Sequence, residues 1–250
     1  MRDLLKCNGE LVCLDNIYTA YEGGSRPVIR GISLGLSRGE YAIVGGPNGA
    51  GKTTLLESIN GMLPLTHGNA RVCGLDVRKN GTEIRKRVGY VIQSFYFDPL
   101  TPFTTAQVVM MGRYGLLGFL KRPGEADYRA VENAIALLGL EDLADRPIGT
   151  LSGGQQQKAL IAQNIAKEPE MLLLDEPFSN LDLCTREFVC EVLEDLVRKG
   201  IAVMMVSHAF DGLPDHRIRV IVMRDGGICL NDTCHADEVE EHVRAASLVR

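Results

Sequence analysis

The stretch YAIVGGPNGAGKTTLLESI, residues 41–59, sets a short apolar run directly against a glycine-rich loop and then a helix-forming segment. Five consecutive apolar residues leave no polar face, so the run reads as a strand buried on both sides. Such strands belong to parallel sheets covered by helices. The loop Gly46-Pro47-Asn48-Gly49-Ala50-Gly51-Lys52-Thr53 fits G-x-x-x-x-G-K-[ST] in its expected setting, strand before and helix after. Glycines let backbone N–H groups turn inward, and the helix start adds partial positive charge, so the loop is expected to cradle phosphates. Lys52 is placed to reach β- and γ-phosphates, and the Thr53 hydroxyl to ligate Mg²⁺.

The rest of the chain agrees with an α/β fold. ELVCLDNIYTAY and PVIRGISLGL alternate as an N-terminal antiparallel β sub-domain. VGYVIQ at 88–93 is another short strand. From 94 to 167 helical patterns take over, with Val131, Ala134, Ile135 and Leu138 on one face and Gly139 as a stop. Strands return in MLLLDEP, IAVMMVSH and RVIVMRDGG, with a helix in 186–200 and a terminal helix in 235–250. The expected architecture is a P-loop NTPase core (1–93 and 168–250) interrupted by an inserted helical sub-domain (94–167), all one domain.

A magnesium nucleotide site needs a carboxylate at a neighbouring strand end. Asp175 closes MLLLD and is expected to hold Mg²⁺ through its water shell; Glu176 follows as candidate general base. His208 follows another buried strand and could contact a γ-phosphate. Gln93 closes VGYVI, where it could sense Mg²⁺. Tyr21, ahead of the phosphate loop, could stack on adenine.

A second anion-facing helix start lies at LSGGQ, residues 151–155. Read in order, Tyr21, GPNGAGKTT, Gln93, LSGGQ, LLLDEP, SNLD at 179–182 and His208 resemble the ATPase subunit of an ATP-binding cassette (ABC) transporter over nearly the whole chain. The resemblance implies a head-to-tail dimer of two copies sandwiching two ATPs. Ser152, Gly153, Gly154 and Gln155 would then serve the nucleotide of the second copy, and Asp182 would lie at the seam. It also implies that Tyr21 stacks on adenine, Thr54 joins the phosphate shell, Gln93 reaches Mg²⁺ and the attacking water, and His208 contacts the γ-phosphate. Lys158 and Gln163 depart from the usual pattern, where arginines are common.

The segment from Ser94 to Asp127 and the run GLEDLADRPIGTLSGGQ resemble ATPase subunits of zinc, manganese or iron importers, with iron-chelate and cobalamin importers as a related alternative. A non-importer ABC ATPase is the remaining reading. The importer resemblance implies a multi-span membrane permease as partner, docked near Phe95, Phe97, Phe103, Met110, Met111 and Tyr114, and an extracytoplasmic cargo-binding protein reached indirectly. Several of these six side chains are expected to pack the sub-domain instead.

A net charge of −5 advertises no basic face, which argues against a nucleic-acid partner. Seven cysteines, an odd number without a CxxC pair, suggest neither a disulfide framework nor a zinc site, and read as buried or idle thiols. MRDLLKCNGE turns polar at once, and no apolar run approaches the ~20 residues of a membrane span. The expectation is a peripheral protein at the cytoplasmic face of the cell membrane.

Overall fold

The structure is a computed structural model that describes residues 9–21, 27–93, 96–118, 120–179, 181–207, 210, 213 and 217–248. The chain runs through β1 (Val12–Thr19), β2 (Ile29–Leu36) and β3 (Tyr41–Gly45) into α1 (Lys52–Ile59). β4 (Leu65–Val72), β5 (Leu75–Asp76), α2 (Val77–Arg87) and β6 (Val88–Val91) follow. Between β6 and β7 (Met171–Asp175) lie α3 (Thr105–Leu117), α4 (Glu125–Leu137) and α5 (Gly153–Ile165). Then come α6 (Leu183–Arg198), β8 (Ala202–Val206), β9 (Ile218–Arg224), β10 (Gly227–Cys234) and α7 (Val239–Leu248).

The central sheet has the order β10-β9-β3-β8-β7-β6. Every pairing in it is parallel except β10 with β9. Alternation between two cores explains why β3, β7 and β8 are buried along their whole length. Ile43, Leu172, Leu174, Val203 and Met205 face one core, which they share with the helices α3 to α6. Ala42, Val44, Leu173, Met204 and Ile221 face the other, shared with α1 and the antiparallel sheet β2-β1-β4-β5. Both faces of β3, β7 and β8 are covered, so their polar groups emerge only at strand ends.

Four elements were not legible as such in the sequence. β4 buries only Leu65, Ala70 and Val72, and its register against β1 shifts near Asp15 and Tyr18. β5 has two residues. α2 buries only Val77 and Ile84, with non-helical backbone at Asn80. β10 is an edge strand whose one buried residue is Cys234. A single partly covered face leaves too few apolar residues to show a period. Cys13 is disulfide-bonded, which corrects the reading of the cysteines as idle thiols; Cys73, Cys184, Cys190, Cys229 and Cys234 are free.

The helical segment is tied together by the residues that stood out in its sequence. Arg113 pairs with Asp127 at 2.8 Å and Glu168 at 2.8 Å, and also donates to Ala166 O, joining α3, α4 and the end of α5. Ile148 N donates to Phe103 O, and Thr105 N to Arg146 O, so LADRPIG clasps the start of α3. Gln163 Nε2 donates to Val108 O at 3.1 Å across the α3–α5 contact. That contact accounts for glutamine at this position.

At the same crossing, a Cβ built on Gly112 would sit 2.0 Å from Gln163 O. Backbone cannot retreat as a side-chain tip can, so Gly112→Ala should cost about 2 kcal/mol or more. For a chain of this size that corresponds to a fall in Tm of roughly 5 °C. Differential scanning calorimetry checks this, and an unchanged Tm would show that the helices separate freely here.

Candidate functional site

All four parallel pairings point the carboxyl ends of β3, β7 and β8 to one edge of the sheet, and the phosphate loop and Asp175 meet there. The loop's course depends on glycine. Gly46 has φ +129°, and a Cβ there would lie 2.2 Å from Met223 O on β9. Gly51, at φ +99°, precedes α1 and gives it no side-chain cap, so the first-turn N–H groups of α1 are left for an incoming anion. Lys52 Nζ donates to Gly46 O at 2.9 Å and Pro47 O at 3.1 Å, bracing the loop from inside. Burial pulls the Lys52 pKa below its ordinary value, while Glu176 and Asp175 act in the opposite direction.

Asp175 is 2% exposed. Thr53 hydrogen-bonds its carboxylate, yet among the described residues Oδ1 has no hydrogen-bond partner. Burial raises its pKa; the Thr53 bond and Lys52 lower it, and Glu176 and Glu57 raise it further. A buried, unpartnered carboxylate oxygen beside a threonine hydroxyl suits a hard cation such as Mg²⁺. Among the described residues no group of three His, Cys, Asp or Glu could hold a metal ion. A cation at Asp175 would therefore take most of its oxygens from phosphate and water.

Glu176 follows at φ +48°, a conformation rarely adopted without glycine. Its N–H donates to Val206 O at 3.0 Å, which fixes the turn, and its side chain lines a groove of about 580 Å³. Tyr21, Asn48, Lys52, Thr54 and Gln93 line the same groove. Tyr21 and Val28 supply its apolar side chains, as a base would require. The sequence-expected residues Tyr21, Asn48, Gly49, Gly51, Lys52, Thr53, Thr54, Gln93 and Glu176 thus converge. His208 and Phe95 lie outside the described residues.

LSGGQ sits elsewhere. Ser152 caps α5: its Oγ accepts from Gln155 N at 3.3 Å, and Gln155 Oε1 accepts from Ser152 N at 3.0 Å. The Ser152 hydroxyl proton is not consumed by that cap. Ser152, Gly153, Gly154 and Gln155 line a second cleft of about 660 Å³ with Lys158 and Asp182, and among the described residues it shares no lining residue with the first. Asp182 caps α6 by accepting from Thr185 N and Oγ1, bonds that lower its pKa. Lys158 Nζ donates to Leu138 O at 2.8 Å and lies 5.2 Å from the Phe188 ring centroid, tying α5 to α4 and α6.

A model of the ABC transporter family matches residues 29–179. The manganese transport system ATP-binding protein MntB of Bacillus subtilis is 37% identical over 203 residues, 81% of this chain and 79% of that protein. The zinc transport system ATP-binding protein TroB of Treponema pallidum is 35% identical over 212 residues, 85% of this chain and 77% of that protein. The chain belongs to the ABC transporter family. A dimeric ATP-binding cassette in a post-hydrolysis state, bound to ADP and Pi, superposes with a TM-score of 0.76 at 27% identity, covering 88% of this chain and 97% of that one. The ABC domain here is thus an ATP-binding ATPase domain with a P-loop NTPase core, an antiparallel β sub-domain and added helices.

Sequence reasoning missed Glu57 and Val28 in this ABC site. Both sit in ordinary helix and strand-edge patterns, where only the fold reveals their neighbours. Among the proposed docking residues, Met110 is buried in the core and Phe97 packs against it, whereas Phe103 and Tyr114 are 43% and 52% exposed. No described helix is long and apolar enough to cross a membrane.

The raised pKa of Asp175 has a stability consequence. A carboxyl whose folded pKa exceeds its unfolded 3.8 costs stability once pH rises above the folded value, and that cost vanishes below 3.8. Asp175→Asn should therefore raise the Tm of the nucleotide-free protein at pH 7 by roughly 2–4 °C, about 1 kcal/mol. The gain should shrink as the pH approaches 4. Thermal melts across that range decide it; a lower Tm at pH 7 would mean the charge is not the strained element.

Proposed function

We propose that this chain is the ATP-hydrolysing subunit of an importer for a divalent metal ion (zinc, manganese or iron), working as a head-to-tail pair. The observation that carries the pairing is the presence of two separate clefts. One holds the phosphate loop; the other presents a capped helix start with a spare hydroxyl proton and Lys158. Each is half of a phosphate enclosure, and two copies related head to tail complete both. The cargo class rests on relatives named for manganese and zinc transport.

In this reading the uncapped start of α1 and Lys52 bind the β- and γ-phosphates, and Tyr21 stacks on the base. Thr53, Asp175 and Gln93 would hold Mg²⁺, with Gln93 also reaching the attacking water; such an ion would supply neutralisation of phosphate charge. Glu176 takes a proton from the attacking water. His208 contacts the γ-phosphate. Ser152–Gln155 of one copy close over the nucleotide of the other, and Asp182 links the two sites at the seam. Hydrolysis removes the bridge and lets the copies part. The exposed Phe103 and Tyr114 receive a multi-span permease on the cytoplasmic face of the membrane, with a cargo-binding protein engaged beyond it.

Two experiments check this reading. Glu176→Gln should bind ATP and dimerise while losing about 10²–10⁴-fold in kcat; turnover like wild type would remove Glu176 as base. In cells lacking the protein, total zinc, manganese or iron should fall and recover with wild type but not with Lys52→Ala. Unchanged metal content would leave the ATPase and redirect the cargo to a chelate.

A further inference from the structure

Glu57 stands on α1 beside the phosphate shell, and no sequence motif accounts for it. Its Oε2 accepts the Tyr21 hydroxyl at 2.8 Å. The same hydroxyl lies 3.1 Å from Thr54 Oγ1. A phenol has one proton. An ionised carboxylate can only accept, so that proton is committed to Glu57, and the Thr54 hydroxyl must donate to Tyr21. The chain of bonds therefore runs from Thr54 to Tyr21 to Glu57.

This direction matters when a nucleotide enters. Thr54 is 4% exposed, and its one proton is engaged with Tyr21. To donate to a phosphate oxygen, Thr54 must release Tyr21. Glu57 then becomes the remaining polar hold on the tyrosine ring. Electrostatics sharpen the point. Among the described residues no cation pairs with Glu57, and its charge helps push the Asp175 pKa upward. A carboxylate near a triphosphate repels it. Its placement is unfavourable for phosphate binding and favourable for holding a hydroxyl.

We propose that Glu57 is a positioning residue for the nucleotide: its carboxylate grips the Tyr21 hydroxyl and so holds the ring in the groove where the base stacks. The proposal rests on the reading that Tyr21 stacks on adenine. Glu57 touches no reacting atom, so its effect falls on nucleotide affinity and not on the chemical step.

The two contributions of Glu57 have opposite signs, which gives the test. The probes are ATP and inorganic tripolyphosphate, which carries the phosphates without a base. Glu57→Ala should weaken ATP binding and raise KM about five- to tenfold, with kcat at saturation within about twofold. Tripolyphosphate should bind Glu57→Ala as well as wild type or more tightly. Tyr21→Phe removes one oxygen with little risk to folding, and should match the ATP defect. The double variant should be no worse than either single one, and Glu57→Gln, which keeps an acceptor, should recover part of the affinity. Equal weakening of both probes by Glu57→Ala would overturn the proposal, as would wild-type ATP affinity in Tyr21→Phe. Tyr21→Ala separates the two levels. If it loses ATP affinity while Tyr21→Phe does not, stacking stands and the anchor fails. If Tyr21→Ala binds ATP normally, the stacking reading fails as well.

Discussion

The parallel pairing of β3, β8 and β7, apolar on both faces, is the constraint from which the rest follows. A sheet buried on both sides offers no lateral place for a charged group. Polar chemistry is confined to the strand ends, and parallel pairing gathers the carboxyl ends along one edge. Gly46 leaves β3 by passing against Met223 O, so the phosphate loop curls back over that edge. Asp175 ends β7 close enough for the Thr53 hydroxyl to bond it. One packing decision therefore brings a buried carboxylate and a glycine-rich phosphate loop together.

The site is held in a state that costs the empty protein something. Asp175 is buried with an oxygen left unpaired, Glu176 adopts a positive φ, and Glu57 adds a third negative charge nearby. Each is unfavourable alone, and under the proposed function each would become useful once phosphates and a cation arrive. Lys52 braces the loop meanwhile through two carbonyls. Preorganisation of this kind shifts the cost from the moment of reaction to the fold.

Residues that stood out in the helical segment of the sequence act mainly as ties. Arg113 in MGRYG binds three helical segments, and LADRPIG clasps the start of α3. Gln163 and Lys158 each reach a backbone carbonyl at a neighbouring helix. Their common effect is to fix the helical segment that presents both LSGGQ and the exposed Phe103 and Tyr114.

How much of this could be read from the chain alone depends on whether the signal was local. G-x-x-x-x-G-K-T between strand and helix, DE closing an apolar strand, and LSGGQ each carry their physics within a few residues, so the fold class and most of the groove were legible. β4, β10 and α2 were not, because each buries so few residues that no period emerges. The six aromatic and methionine residues proposed for docking could not be sorted by type; burial divided Met110 and Phe97 from Phe103 and Tyr114. Glu57 looked like any charged residue on a helix. Its meaning came only when folding carried Tyr21, 36 positions earlier, to within 2.8 Å of it. Short-range patterns are set by backbone geometry and travel with the sequence. Hydrogen bonds between distant segments exist only after the chain has closed, which is why the tertiary structure alone could assign them.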